Sequence, residues 1–276
     1  MPFFLTHIES LRHVAHQLKL RPYTTAYDLA LLGCILPDLE VAGILPKVHG
    51  RCKAFYEYIL EADSEYAPLA TGMLCHELYD GIMEPGYVAK KERRAEQILS
   101  QYYPDLKVKL AAHIFVEHAI DISLLKEQPE LLHDLKRSLK RIDDACVKRI
   151  VGHLCDFFHA DKKALTKALL TIRAFDVTRL QHSEGMNKFW LNCMLLLSEQ
   201  HVLNEHAPTL VEKVKSALRI GVRYSKHTFL HSKEHARIAL RNMHDALQDH
   251  TIVRTRSKNE LAKKLAVFMK RHKIRA

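Results

Sequence analysis

The sequence predicts an all-α protein built as a multi-helix bundle. Only 9 of its 276 residues are glycine, fewer than the turns of a sheet protein usually need. Eight of the nine prolines lie between Pro2 and Pro129, so the second half contains almost no helix breakers. Apolar residues recur every three or four positions in the segments 131–150, 164–175 and 210–222. The strict alternation typical of strands is nearly absent.

The first 125 residues divide into six predicted helices. The first follows Thr6, which is predicted to be its N-cap because Glu9 stands three positions later. The second covers residues 26–35 and stops before Pro37, since a proline disfavours helix at the residue before it. The others are predicted to begin near Cys52, to run from Tyr66 to Gly81, to cover 92–101, and to extend from Pro104 past His118.

Three regions follow from this pattern. Residues 1–125 form a helical region with a candidate metal site, and residues 126–250 form a helical region that packs on it, within the same domain or as a second one. Residues 251–276 form a basic C-terminal helix or tail.

Most of the net charge of +10 lies in that tail, which has nine Lys or Arg and one Glu. Such a patch can attract nucleic acid or anionic lipid, and Leu261, Leu265, Phe268 and Met269 could give it an apolar face. The alternative is an ordinary solvated helix. No secretory signal, transmembrane segment or CxxC pair is evident, so the sequence predicts a reduced, cytoplasmic protein.

Two His-x-x-x-acid pairs carry the chemistry of the first region. His76 and Asp80 are four residues apart, as are His113 and Glu117, and this offset places both members on one face of a helix. One such pair alone is more often an intrahelical hydrogen bond. Both pairs lie in apolar segments, where an unpaired carboxylate is unfavourable. Imidazole and carboxylate ligands together favour zinc, with manganese or iron as alternatives.

Three further residues extend the set of candidate ligands. His7 follows a short apolar start, and His49 lies in a predicted loop. Asp38 follows Pro37 at a junction between helix and loop, where a carboxylate can point into a cleft.

The order of these residues resembles the zinc-dependent phospholipase C family, whose helical fold is shared with single-strand-specific nucleases. The resemblance covers about residues 1–125 and implies a bundle of that type with extra C-terminal helices. It also implies a cluster of one to three zinc ions that hydrolyses phosphodiesters. By position, the implied metal ligands are His7, Asp38, His49, His76, Asp80, His113 and Glu117.

The resemblance further implies that Asp38 orients the attacking water or accepts its proton. The family has a histidine shortly after its HxxxD pair, where this chain has Glu84 as a substitute oxygen ligand. His118 and Asp121 follow the second pair and are expected to support its ligands, or to be ordinary helix polar residues.

The predicted function is therefore a metal-dependent phosphoesterase that acts on a phosphodiester or phospholipid-like substrate. Two alternatives remain open at this stage. One is a non-enzymatic helical protein with a structural or reduced metal site. The other is a module that binds nucleic acid or a membrane surface through the basic tail.

Overall fold

The computed structural model describes residues 4–40, 43–102, 108–174, 238–239, 241–243, 245–247 and 250–271. Within those residues the chain is helical and contains no strand, which confirms the predicted all-α class. The helices are α1 (Phe4–Val14), α2 (Thr25–Gly33), α3 (Cys52–Ala62), α4 (Ala67–Met83), α5 (Ala89–Tyr102), α6 (Val108–Glu127), α7 (Glu130–Arg141), α8 (Asp144–Phe158), α9 (Lys162–Ala174) and α10 (His250–Arg271). The predicted helical segment 210–222 lies outside the described residues, as does most of the region after 174.

Helices α2 and α4 cross in close contact because a glycine stands on each side. A Cβ atom on Gly33 would lie 2.0 Å from the backbone oxygen of Leu69, and one on Gly72 would lie 2.0 Å from that of Ala30. No larger residue fits at either position without moving a backbone. The crossing brings the end of α2 against the middle of α4, where the first His-x-x-x-Asp pair is located.

The start of α1 differs from the prediction, because the helix begins at Phe4 and Thr6 lies in its first turn. Its N-terminal amides are held by a distant side chain instead of a local cap. The Asp121 carboxylate of α6 accepts hydrogen bonds from the backbone N–H of Leu5, at 3.3 Å, and of Thr6, at 3.0 Å, and from the Thr6 hydroxyl. A carboxylate is favourable at a helix N-terminus, where amides lack intrahelical partners.

The predicted end of the fourth helix at Gly81 is wrong, because α4 continues through this residue to Met83. A π turn over Glu84–Val88 then leads directly into α5. Pro85 stands at the start of this segment, where its missing N–H interrupts the regular helical hydrogen bonds, and a π turn is a common form of such an interruption. Glu84 therefore lies on a helical wall and not in a loop.

The periodic segment 131–150 forms two helices instead of one. Ile142 is extended, and the Asp143 carboxylate caps α8 by accepting the Cys146 N–H at 2.7 Å. The apolar period continues across the break because α7 packs on α1 and α2, while α8 packs on α3 and α9. The described part of the second predicted region thus shares the core of the first.

Helix α10 packs against α1 and α4, and Leu261 and Leu265 are buried in the core. The apolar side of this helix, which the sequence offers as a candidate for binding a lipid surface, therefore packs against the protein itself. Arg254 is also buried: its Nε lies 2.9 Å from Glu9 Oε2 and its Nη2 lies 2.6 Å from Glu127 Oε2. The basic face that stays exposed contains Arg256, Lys263, Lys264 and Lys270. Among the described helices, none is both long and apolar enough to cross a membrane.

Candidate metal centre

The first cluster of candidate ligands is buried between α1 and α4. His7 Nε2 lies 3.4 Å from Asp80 Oδ1, and His76 Nε2 lies 2.9 Å from Asp80 Oδ2. All three residues are at most 8% exposed. The two imidazole rings stack with centroids 3.7 Å apart. One donor atom from each residue lies within 4.8 Å of the others, which is close enough to hold one cation.

Asp38 and His49 extend this first cluster at its edges. Asp38 belongs to a short 3-10 turn, Pro37–Leu39, and its Oδ1 lies 3.8 Å from His76 Nε2. Its other oxygen is buried and has no hydrogen-bond partner among the described residues. His49 is more exposed, and its Nε2 lies 3.9 Å from Asp80 Oδ2. A buried carboxylate oxygen without a donor is unfavourable unless a cation or a water satisfies it.

The second cluster joins the end of α4 to α6. His113 Nε2 lies 3.4 Å from Glu84 Oε1 and 3.4 Å from Glu117 Oε1. These three residues also offer donor atoms within 4.8 Å of one another. The Glu117 side chain is 13% exposed, less than those of His113, at 33%, and Glu84, at 42%. Glu84 thus lies beside the second His-x-x-x-acid pair, and its role as an oxygen ligand stays a prediction.

Three of the four imidazoles are oriented by an acceptor on Nδ1. The Cys34 backbone oxygen lies 2.7 Å from Nδ1 of His76. Carboxylate oxygens occupy the same place for the other two: Glu40 lies 2.9 Å from Nδ1 of His49, and Glu92 lies 3.0 Å from Nδ1 of His113. Because these oxygens can only accept, each Nδ1 must donate, and Nε2 is turned towards the cluster. Metal-binding histidines are commonly held in this way.

Most of the separations between donor atoms match those of ligands around a shared cation. With metal–ligand bonds of about 2.0–2.2 Å, the ligands of a tetrahedral site lie about 3.3–3.6 Å apart. Three of the four pairs, at 3.4 Å, fall at this spacing and exceed the usual hydrogen-bond range of about 2.7–3.2 Å. His76 and Asp80, at 2.9 Å, are instead at a hydrogen-bond distance. The other three pairs are therefore spaced better for coordination than for direct pairing.

A small cavity lies between the two clusters. Its volume is about 20 Å³, enough for about one water-sized particle. His7 and Asp80 line it from the first cluster, and Glu117 lines it from the second. Thr6, Tyr79, Met83, Val88 and Ile120 complete the wall. The clusters are therefore adjacent parts of one centre.

Electrostatics in the first cluster separate the two stacked histidines. Burial and the neighbouring His76 lower the pKa of His7 to about 3. Burial also opposes a charge on His76, but the Asp80 and Asp38 carboxylates outweigh it and raise its pKa to about 9. Burial disfavours a charge on Asp80 as well, yet His76 and His7 lower its pKa to about 2. These shifts favour a positively charged His76 beside an ionised Asp80, and a cation bound at Nε2 of His76 would displace the proton there.

Carboxylates crowd the rest of the centre. Burial, together with Asp80 and Asp38, raises the pKa of Glu117 well above its usual range. Burial also raises the pKa of Asp38. Asp80 and Glu117 line the small cavity, while Asp38 lies beside His76 and Glu84 lies beside His113. Like charges that are close together repel unless protons or cations neutralise them, so a bound cation would relieve this repulsion.

His118 and Asp121 contribute to structure more than to the clusters. His118 is buried, and this burial lowers its pKa to about 3, so it remains neutral. Burial raises the pKa of Asp121 to about 7, against the lowering effect of its hydrogen bonds to Thr6 and Leu5. Since those bonds fix the first turn of α1, Asp121 positions the helix that carries His7.

Sequence reasoning missed Glu40 and Glu92, the carboxylates behind His49 and His113. Glu40 also accepts the backbone N–H of Val48, at 2.6 Å, and of His49, at 2.9 Å, and so holds the loop in place. Glu40 stands two residues after Asp38, but no spacing rule connects it to a histidine nine positions later. Glu92 lies on a different helix from His113, so only the packing of α5 on α6 brings the two together.

No protein-family model, curated protein or solved structure matches this chain.

Proposed function

We propose that this protein is a metal-dependent phosphoesterase that hydrolyses a phosphodiester or phospholipid-like substrate at the centre formed by the two clusters. One observation carries the proposal: imidazole and carboxylate donors from separate helices lie close enough together to share a cation. In three of the histidines, Nδ1 donates a hydrogen bond to an oxygen outside the cluster, which leaves Nε2 for the metal. The resemblance in residue order to zinc-dependent phospholipases C supports the reaction type.

The donor set suits the chemistry of such a reaction. Divalent cations bound there would lower the pKa of a coordinated water towards 7 and neutralise charge on phosphoryl oxygens. His7, His76 and Asp80 would hold a cation at the buried position, and His113, Glu84 and Glu117 would hold one at the more exposed position. The exposed position would give a phosphate group access to the centre, and a catalytic site needs such an open coordination position.

We assign to Asp38 the role of accepting a proton from the attacking water. Its Oδ2 atom is buried without a hydrogen-bond partner among the described residues, so it can accept a bond from a water in the centre. It lies beside His76 but is not one of the three donors of the compact first cluster. A carboxylate in that place can orient the attacking water and take up its proton.

The test measures metal content and hydrolysis on the same preparations. The unsupplemented protein is analysed for metal, then assayed with a chromogenic phosphodiester. His76→Ala and His113→Ala remove one donor from each cluster, and His16→Ala, an exposed histidine after α1, is the matched control. We expect metal and hydrolysis to fall in the first two variants and to persist in the control. Unchanged metal content and hydrolysis in both cluster variants would disprove the proposal.

A structural metal site is the second candidate, and the burial of the first cluster favours it. His7, His76 and Asp80 are nearly inaccessible, as the ligands of a closed structural site would be. Tightly bound metal with no hydrolysis of any phosphodiester, and no change in the metal's spectrum on adding phosphate, would favour this candidate over the enzyme.

The exposed basic face of α10 supports a further, separate proposal of attraction to nucleic acid or anionic lipid. Deleting residues 251–276 would not test it, because Arg254, Leu261 and Leu265 belong to the core. Charge reversal of Lys263 and Lys264, which are exposed, leaves the core intact. Binding to single-stranded nucleic acid or anionic vesicles should weaken in this double variant. Unchanged binding would show that the basic face of α10 is not the binding surface.

A further inference from the structure

The two clusters differ in donor chemistry although they share one cavity. The first has two close imidazoles and Asp80, with His49 as a third imidazole at its edge. The second has a single imidazole, His113, between two glutamates. Nitrogen donors suit zinc, whereas carboxylate and water oxygens suit harder cations such as manganese and magnesium.

The clusters differ in solvent access in the same direction. In the first, the side chains of His7 and His76 are 4% and 1% exposed. In the second, the side chains of Glu84 and His113 are 42% and 33% exposed. A cation in the second cluster can therefore keep several waters and exchange with solvent. Mg²⁺ gives up water reluctantly and is commonly held by one or two carboxylates plus water, and Mn²⁺ prefers the same carboxylate and water ligands.

His113 shows that the second cluster is arranged as a site and is more than a group of acidic side chains. Glu92 fixes its Nδ1 at 3.0 Å, so Nε2 faces Glu84 and Glu117 at equal distances of 3.4 Å. Glu117 lines the small cavity together with His7 and Asp80, so the second cluster adjoins the first.

We propose that the centre binds two different divalent cations: zinc at His7, His76 and Asp80, and an exchangeable, partly hydrated Mn²⁺ at Glu84, His113 and Glu117. The inference rests on the metal centre of the proposed function but not on its hydrolytic activity. It assigns Glu84 the deciding role, because this residue makes oxygen the majority donor of the second cluster.

The test titrates metals into chelator-treated full-length protein. One equivalent of Zn²⁺ is added first and Mn²⁺ second, and bound Mn²⁺ is followed by loss of the free-ion electron paramagnetic resonance signal. We expect one tightly held zinc, followed by one Mn²⁺ that binds more weakly and leaves on dialysis. If a second Zn²⁺ binds as tightly as the first and Mn²⁺ does not bind, the proposal is overturned.

Glu84→His converts the second cluster to two imidazoles and one carboxylate. We expect the affinity for Mn²⁺ to fall by more than about tenfold, the smallest loss usual for removing a partner of a metal ligand, while the second Zn²⁺ binds more tightly. Glu61→His, at an exposed position of α3, is the control for adding a histidine elsewhere. Thermal unfolding of the metal-free variants checks that both remain folded.

These readouts separate the inference from the proposed function. If zinc and manganese bind as described but no phosphodiester is hydrolysed, the two-metal inference is supported and the proposed enzymatic function is disproved. If the protein hydrolyses phosphodiesters with zinc in both clusters, and Glu84→His does not change Mn²⁺ binding, the enzymatic function is supported and the two-metal inference is disproved.

Discussion

The buried guanidinium of Arg254 should stabilise the helices that carry the metal centre. It is 3% exposed and contacts Glu9 of α1 and Glu127 at the end of α6. Glu9 is also buried, and Lys258 Nζ at 2.8 Å and Gln128 Nε2 at 2.7 Å are its other partners. Through these contacts α10 connects α1, which bears His7, to α6, which bears the second His-x-x-x-acid pair.

Arg254→Met keeps most of the apolar stem and removes the charge. Removing one partner of a buried ion pair costs about 3–5 kcal/mol, because the remaining charge is left uncompensated. Glu9 retains Lys258 and Gln128, so we expect the lower end, about 3 kcal/mol of unfolding free energy. Arg256→Met, two residues along on the exposed face of the same helix, should change it by less than about 0.5 kcal/mol.

The assay is urea unfolding of chelator-treated protein at neutral pH, followed by far-ultraviolet circular dichroism. Metal is removed first because a ligand that binds only the folded state adds its own stability. A double-mutant cycle with Glu9→Gln measures the pair itself, and the double variant should lose about 1–3 kcal/mol less than the sum of the two singles. If Arg254→Met unfolds at the same urea concentration as Arg256→Met, the reasoning about the buried network is refuted.

Glu40→Gln weakens the acceptor behind His49, so zinc affinity measured against a chromophoric chelator should fall by about tenfold; unchanged affinity would mean that His49 is not a ligand. Gly72→Ala forces a Cβ to 2.0 Å from a backbone oxygen of α2 and should cost about 3 kcal/mol, whereas Gly81→Ala has open space and should be neutral or slightly stabilising in thermal unfolding. Burial lowers the pKa of His118 from 6.5 to about 3, so the unfolded chain binds a proton that the folded chain does not. Stability should therefore decrease as pH falls from 6.5 towards 3, by up to about 1.4 kcal/mol per pH unit from this residue, and His118→Phe should remove that part of the slope.

Much of the secondary structure was predictable because it depends on local pattern. The interval of three or four residues between apolar positions indicates helices, and 83% of the residues that the structure describes are helical, which confirms their type. The errors occurred at helix ends. The rules that predict Thr6 as a cap and Gly81 as a helix end assume local partners. Asp121 supplied the partner from α6 instead, and a π turn carried α4 onwards.

The sequence by itself determined which residues share a helix face. The offset of four in His76–Asp80 and in His113–Glu117 follows from the helical repeat, whatever surrounds the helix. Residue order also placed His7, Asp38, His49 and Glu84 among the candidates.

Only the tertiary structure decided which of those faces meet and which oxygen accepts a hydrogen bond from each candidate histidine ligand. Glycines at the crossing of α2 and α4 let the Cys34 backbone oxygen reach His76, and packing of α5 on α6 puts Glu92 behind His113. The two clusters are also adjacent only because α1, α4 and α6 pack around one small cavity. The physical reason is range: helix periodicity is set by bonds between near neighbours in the chain, whereas the orientation of an imidazole depends on atoms that folding brings from far away in the sequence.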